Sequence, residues 1–207
     1  MAGAILSPPE QARIAAAVAA LESRSAAELA VVIARQSANY MVYSALWATG
    51  LALLAGWIAA FVDPGLSTAD LAIVQGFVLL GAGVLLQFTP LGILLVPASV
   101  KRLRAAAMAQ VEFSSLVHDR TRHKDGVLLF LSLAEHYIEI VADDAIAAAI
   151  PVERWQELIN RFTAKTRRTR IADKLHDLIT ACGGILAAQF PPRPGQENEL
   201  PDRAKEI

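Results

Sequence analysis

The chain has 207 residues, of which 55% are hydrophobic and 19% charged. This is apolar for a soluble protein and polar for one made only of membrane spans, with length for one domain plus a membrane element rather than two domains. A formal net charge of -1 supplies no overall field for nucleic acid, and one cysteine, Cys182, excludes both an internal disulfide and a four-thiolate metal site.

The opening MAGAILSPPEQARI lacks a basic region followed by an apolar core, so no secretory signal is expected. Ser7-Pro8-Pro9-Glu10 marks a helix start. Serine caps, proline suits the first turn, and Glu10 sits where a capping box needs an acid. Ile14, Val18 and Leu21 then share a helical face. After a turn over residues 23–27, ELAVVIAR (28–35) reads as a short strand buried on both faces. One helix and one strand cannot bury their own apolar surface, so residues 1–36 need the second half of the chain.

No charged residue lies between Arg35 and Asp63, nor between Asp70 and Lys101. Each gap exceeds the ~20 apolar residues that cross a bilayer. The spans are expected at about 43–62 and 71–96, a hairpin over 43–96, with Tyr40, Tyr43 and Trp47 as interfacial aromatics. Pro90 and Pro97 are expected to kink or break the second span near its exit. The linker DPGLSTAD carries two acids and no base, whereas Arg35 precedes the hairpin and Lys101, Arg102 and Arg104 follow it. The positive-inside rule places both ends in the cytoplasm, with the protein in an inner (plasma) membrane. No ionisable residue lies inside either span, which argues against a transport pore.

Beyond the hairpin, residues 101–190 read as the remainder of the domain. A helix is expected with Leu103, Ala107, Val111 and Ser114 along its stripe. Lys124-Asp125-Gly126 turns into the doubly buried strand VLLFLSL, and Ala134-Glu135-His136 turns into YIEIVAD, whose alternation suits a strand with a more polar face. Pro151 starts a helix burying Val152, Trp155, Leu158, Ile159 and Phe162. A last helix aligns Ile171, Leu175, Leu178, Ile179, Cys182, Ile185 and Leu186. Residues 191–207 are rich in Pro, Gly, Gln and charge and are expected to be a disordered tail. The fold class is therefore α/β, a small sheet flanked by helices, with a two-helix transmembrane hairpin inserted after the first strand.

These pieces resemble a TPM domain. The resemblance rests on ILSPPEQARIAAAVAALESRSAAELAVVIAR, DGVLLFLSLAEHYIEIVADDAI, IPVERWQELINRF and IADKLHDLITACGGILAAQFPP, which together span nearly all the chain outside the hairpin. It implies kinship with bacterial membrane proteins that have the same internal hairpin and no assigned activity, in a family that also includes thylakoid-lumen repair proteins. Some relatives are associated with acid phosphatase activity or calcium binding. The glycine-rich turn common in the family after its second conserved strand is Asp143-Asp144-Ala145 here.

The residues themselves offer few chemical groupings. His118 and His123 diverge by about 140° on a helix and do not pair as zinc ligands would. Cys182 falls on the apolar stripe, as a core thiol, and Gly183-Gly184 within a helix points to close packing. Asp125, Asp143 and Asp144 fall at strand ends, where α/β sheets collect ligands. As carboxylates they suit a hard cation, calcium, or else serve as turn and helix-cap residues. The basic run Arg161, Lys165, Arg167, Arg168, Arg170, Lys174 is either a solvated helix end or a contact for anionic head groups at about 1 kcal/mol each. Three readings follow. The first is a membrane-anchored, non-enzymatic module that binds or stabilises another membrane protein; the others are a metal-dependent phosphatase and a lipid-surface module.

Overall fold

Helix α1 (Pro8–Glu22) starts where Ser7 and Glu10 meet, the Glu10 carboxylate accepting the Ser7 N–H at 2.8 Å. The computed structural model describes residues 4–118, 120–121, 123–163, 170–196 and 198–207. They form two units, Met1–Ser37 with Arg104–Ile207, and Ala38–Leu103.

The first unit is built on a sheet of β1 (Glu28–Ala34), β2 (Gly126–Ser132), β3 (Tyr137–Ala142) and β4 (Lys205–Glu206), in the order β3-β2-β1-β4. β1 runs parallel to β2 and β4, and β3 is antiparallel to β2. Side chains alternate across a strand, and here both faces are covered. Leu29, Val31, Ile33, Val127 and Leu129 join a core with α1, α6 (Asp144–Ala149), α7 (Val152–Thr163) and α8 (Ile171–Gln189). Ala30, Val32, Leu128 and Phe130 join a second core with α5 (Ala98–Phe113), Val117 and Leu200. Hence Leu29 to Ala34 read as an unbroken apolar run behind Glu28, and all seven residues of β1 are buried.

Three expectations about this unit are corrected. Helix α5 buries Ala105, Ala109 and Phe113, while Val111 of the expected stripe is 66% exposed. Alanines weigh little in a hydropathy pattern, yet their small side chains let the helix approach the sheet. Helix α7 buries Trp155 and Phe162 but leaves Val152 exposed at its start. Residues 191–207 are not a disordered tail in their described part: Leu200 and Ala204 are buried and β4 pairs with β1 at Val32 and Ile33. Composition reported the polar residues that tie this segment down as if they were solvated.

The second unit consists of α2 (Met41–Val62), α3 (Thr68–Phe88) and α4 (Leu91–Leu94), with the start of α5. In chain order it follows β1 and precedes β2. Ser67 caps α3, accepting the Asp70 N–H at 3.2 Å. The second apolar helix ends at Phe88, short of the expected 96, because Pro90 has no N–H to continue it. Ser44, Ala48, Ala52 and Gly56 form the buried stripe of α2, and the Gln75 side chain lies where a Gly56 Cβ would be. Both α2 and α3 are long and apolar enough to cross a membrane, with only 17% and 6% of their apolar windows buried. Trp57, Phe61, Phe77 and Phe88 are all exposed.

Candidate functional site

The antiparallel pairing of β2 with β3 brings the start of one beside the end of the other. Val127 pairs with Ala142, and the Asp143 N–H donates to the Gly126 carbonyl at 2.9 Å. Asp125 and Asp143 therefore flank the same end of the sheet. This is the amino end of the parallel β1–β2 pair, opposite the carboxyl ends where ligands gather in open α/β sheets. The aspartates do fall at strand ends, and strand direction, invisible in local sequence, decides which end of the sheet that is.

Asp143 is buried, and protein groups occupy its carboxylate. Its Oδ1 faces His118 Nδ1 at 2.8 Å and accepts the Asp144 N–H at 3.2 Å; its Oδ2 accepts the Thr121 hydroxyl at 3.1 Å. It is the N-cap of α6. Asp125, also buried, pairs with Arg193 at 2.6 Å. Asp144 lies in the exposed first turn of α6. The three carboxylates proposed as calcium ligands do not fit such an ion: two are satisfied by protein donors, and among the described residues no group of three His, Cys, Asp or Glu could hold a metal. The turn-and-cap reading describes Asp125 and Asp143 better.

His118 sits in a π-helical turn, Ser114–His118, that closes α5 and brings its ring to Asp143. Sequence spacing from His123 carried no trace of this pairing across 25 residues. An imidazole oriented by a buried carboxylate resembles half of a nucleophilic site, but among the described residues no hydroxyl or thiol hydrogen-bonds its other nitrogen. Cys182 is no substitute, since burial pushes its thiol up to about 12. Gly183 packs against Leu21, as close packing requires, whereas Gly184 borders open space.

A polar cavity of about 280 Å³ opens beside Asp125, lined by Glu28, His123, Arg193, Gln196 and Glu199. Sequence reasoning missed Glu28 and Arg193 because one was assigned to a buried strand and the other to a tail. In the basic run, Lys165, Arg167 and Arg168 lie outside the described residues. Arg161 closes α7, and Arg170 and Lys174 stand at the start of α8.

No family model matches the chain, and no curated protein does. Among solved structures it is similar to the NMR structure of BA42 protein from the psychrophilic bacteria Bizionia argentinensis. The identity is 16% and the TM-score 0.62, over 100% of this chain and 99% of that one. The likeness is one of fold.

Proposed function

We propose that this chain is a membrane-anchored α/β domain of TPM type, its two-span hairpin inserted after β1, that binds or stabilises another membrane protein without catalysing a reaction. The observation that carries the anchoring is the exposure of α2 and α3. A soluble core helix of that hydropathy hides its apolar face, whereas these two leave Trp57, Phe61, Phe77 and Phe88 uncovered. The TPM assignment rests on the resembling segments around β1, β2, β3 and α8. With Lys101, Arg102 and Arg104 after the hairpin and only Asp63 and Asp70 at its turn, both termini face the cytoplasm.

Four measurements test this reading. The protein should resist extraction from membranes by alkaline carbonate, and a reporter active only outside the cytoplasm should stay silent at the C-terminus. Extraction into the soluble fraction overturns the anchor; a strong reporter signal overturns the orientation. Mild detergent extraction should then recover a stoichiometric membrane-protein partner, while phosphatase activity dependent on divalent cations would replace the binding role with an enzymatic one.

A further inference from the structure

The outer edge of β1 is closed by a substitute for a strand. β4 pairs with only two of its seven residues. The Ile207 N–H donates to the Ile33 carbonyl at 3.0 Å, and the Arg35 N–H donates to the Ile207 carbonyl at 2.8 Å. Further back, the Leu29 N–H meets a side chain instead of a strand, the Glu22 carboxylate at 3.1 Å. The C-terminal segment runs over these groups. The Glu199 N–H donates to the Glu28 carboxylate at 2.9 Å, the Asn198 amide to Glu22 at 3.3 Å and to Asp202 at 2.6 Å, and Leu200 is buried beneath.

We propose that residues 198–207 form a pH-responsive strap over the outer edge of β1, seated near neutrality and released from its Glu199 end in alkali.

The reason is a concentration of like charge under the strap. Glu22 from α1, Glu28 from β1 and Asp202 from the strap lie together, with Glu199 of the strap and Asp125 of the loop before β2 both facing Glu28. Arg193, the cation beside them, is engaged by Asp125, and His123 lines the same cavity. Burial, helped by Asp202 and Glu28 and opposed by the Leu29 hydrogen bond, pushes Glu22 up to about 8. Burial likewise raises Glu28 against the hydrogen bonds from Glu199 and Leu200. The seated strap therefore holds a proton that the released strap gives up. Seating contributed by Glu22 is complete below the usual carboxylate range and is lost as pH rises through about 8.

The far end of the strap has the opposite sign. Burial disfavours the charged form of Glu206, but hydrogen bonds from Ile5, Gln11 and Leu6 outweigh it and hold the group below its usual value. The Ile5 N–H lies at 2.7 Å and the Gln11 amide at 2.8 Å. Lys205 adds a contact to Glu112 at 2.7 Å. That end is secured by an ionised group and loosens only in acid, so alkali opens the strap from one side.

Amide exchange on the full-length protein in detergent, followed from about pH 6 to 9.5 and corrected for base-catalysed intrinsic exchange, tests the strap. Protection of the Glu199 amide should fall by up to about tenfold per pH unit, the limit for one linked proton. The Leu129 amide at the sheet centre should keep its protection, which separates strap release from unfolding. Glu22→Gln should flatten the Glu199 profile. Asp202→Asn, which removes a like charge, should move the fall to lower pH, and it serves alone if Glu22→Gln does not fold. A flat wild-type profile, a parallel loss at Leu129, or an unmoved midpoint in Asp202→Asn overturns the proposal.

Discussion

A methyl group on Gly126 would meet Val117 Cγ1 at 2.2 Å and Thr121 Cγ2 at 2.9 Å. The glycine is the first residue of β2, and the left-handed backbone of the preceding turn falls on Lys124, with φ 54°. Gly126 is thus required for close approach of the π-helical turn rather than for turn geometry. Gly126→Ala should cost about 1–3 kcal/mol through overpacking, read as a lowered denaturation midpoint. Asp143 is the second decisive residue. Asp143→Ala removes a helix cap and leaves the buried Thr121 hydroxyl with one acceptor fewer, for a loss of about 1–3 kcal/mol. Asp143→Asn keeps the cap and should retain most of that stability. Millimolar calcium should leave the melting temperature of the wild type unchanged. A calcium-dependent rise abolished by Asp143→Asn would restore the metal reading.

At the scale of elements, the C-terminal segment departs most from its composition. Its 198–207 stretch holds five charged residues, yet Leu200 lies in the core with Phe130 and Phe113, and Glu206 satisfies the backbone ahead of α1. Leu200→Ala should therefore destabilise by about 2–5 kcal/mol, the range for a buried leucine. A disordered tail would give no change in the melting curve. Helix α5 makes a related point, because its buried residues Ala105 and Ala109 are small where a hydropathy stripe favours Val111. The hairpin helices behave differently. Their length and apolar composition, enough to cross a membrane, are legible in the sequence directly, and the break at Pro90 follows from a missing N–H.

For the whole molecule, the central question is how one sheet draws on distant parts of the chain. β1 lies between β2 and β4, and α1 shares a core with α8, so residues 4–37 cannot complete a core without the residues after 103. Replacing residues 38–103 by a flexible Gly/Ser linker should give a soluble protein with one cooperative melting transition. Removing residues 1–37 as well should abolish that transition, since β2 would lose its parallel neighbour along all seven residues. An unchanged transition would show that the first segment is dispensable.

The sequence by itself determined the α/β class, the capped start of α1, the doubly buried β1 and β2, the apolar stripe of α8 and the two long apolar helices. Each is a local property, written in hydrophobic period, capping residues or run length, and needs no knowledge of neighbours. Only the tertiary structure decided that β3 returns antiparallel and sets Asp143 beside Gly126, that His118 pairs with Asp143, that Arg193 claims Asp125, and that the charged C-terminus is a strap with Leu200 inside. These depend on residues brought together from 17 to 201 positions apart. Polar side chains have no periodic signature for such partners. A carboxylate that caps, pairs or binds a cation is the same letter in the chain, and the donors that fold around it determine which it does.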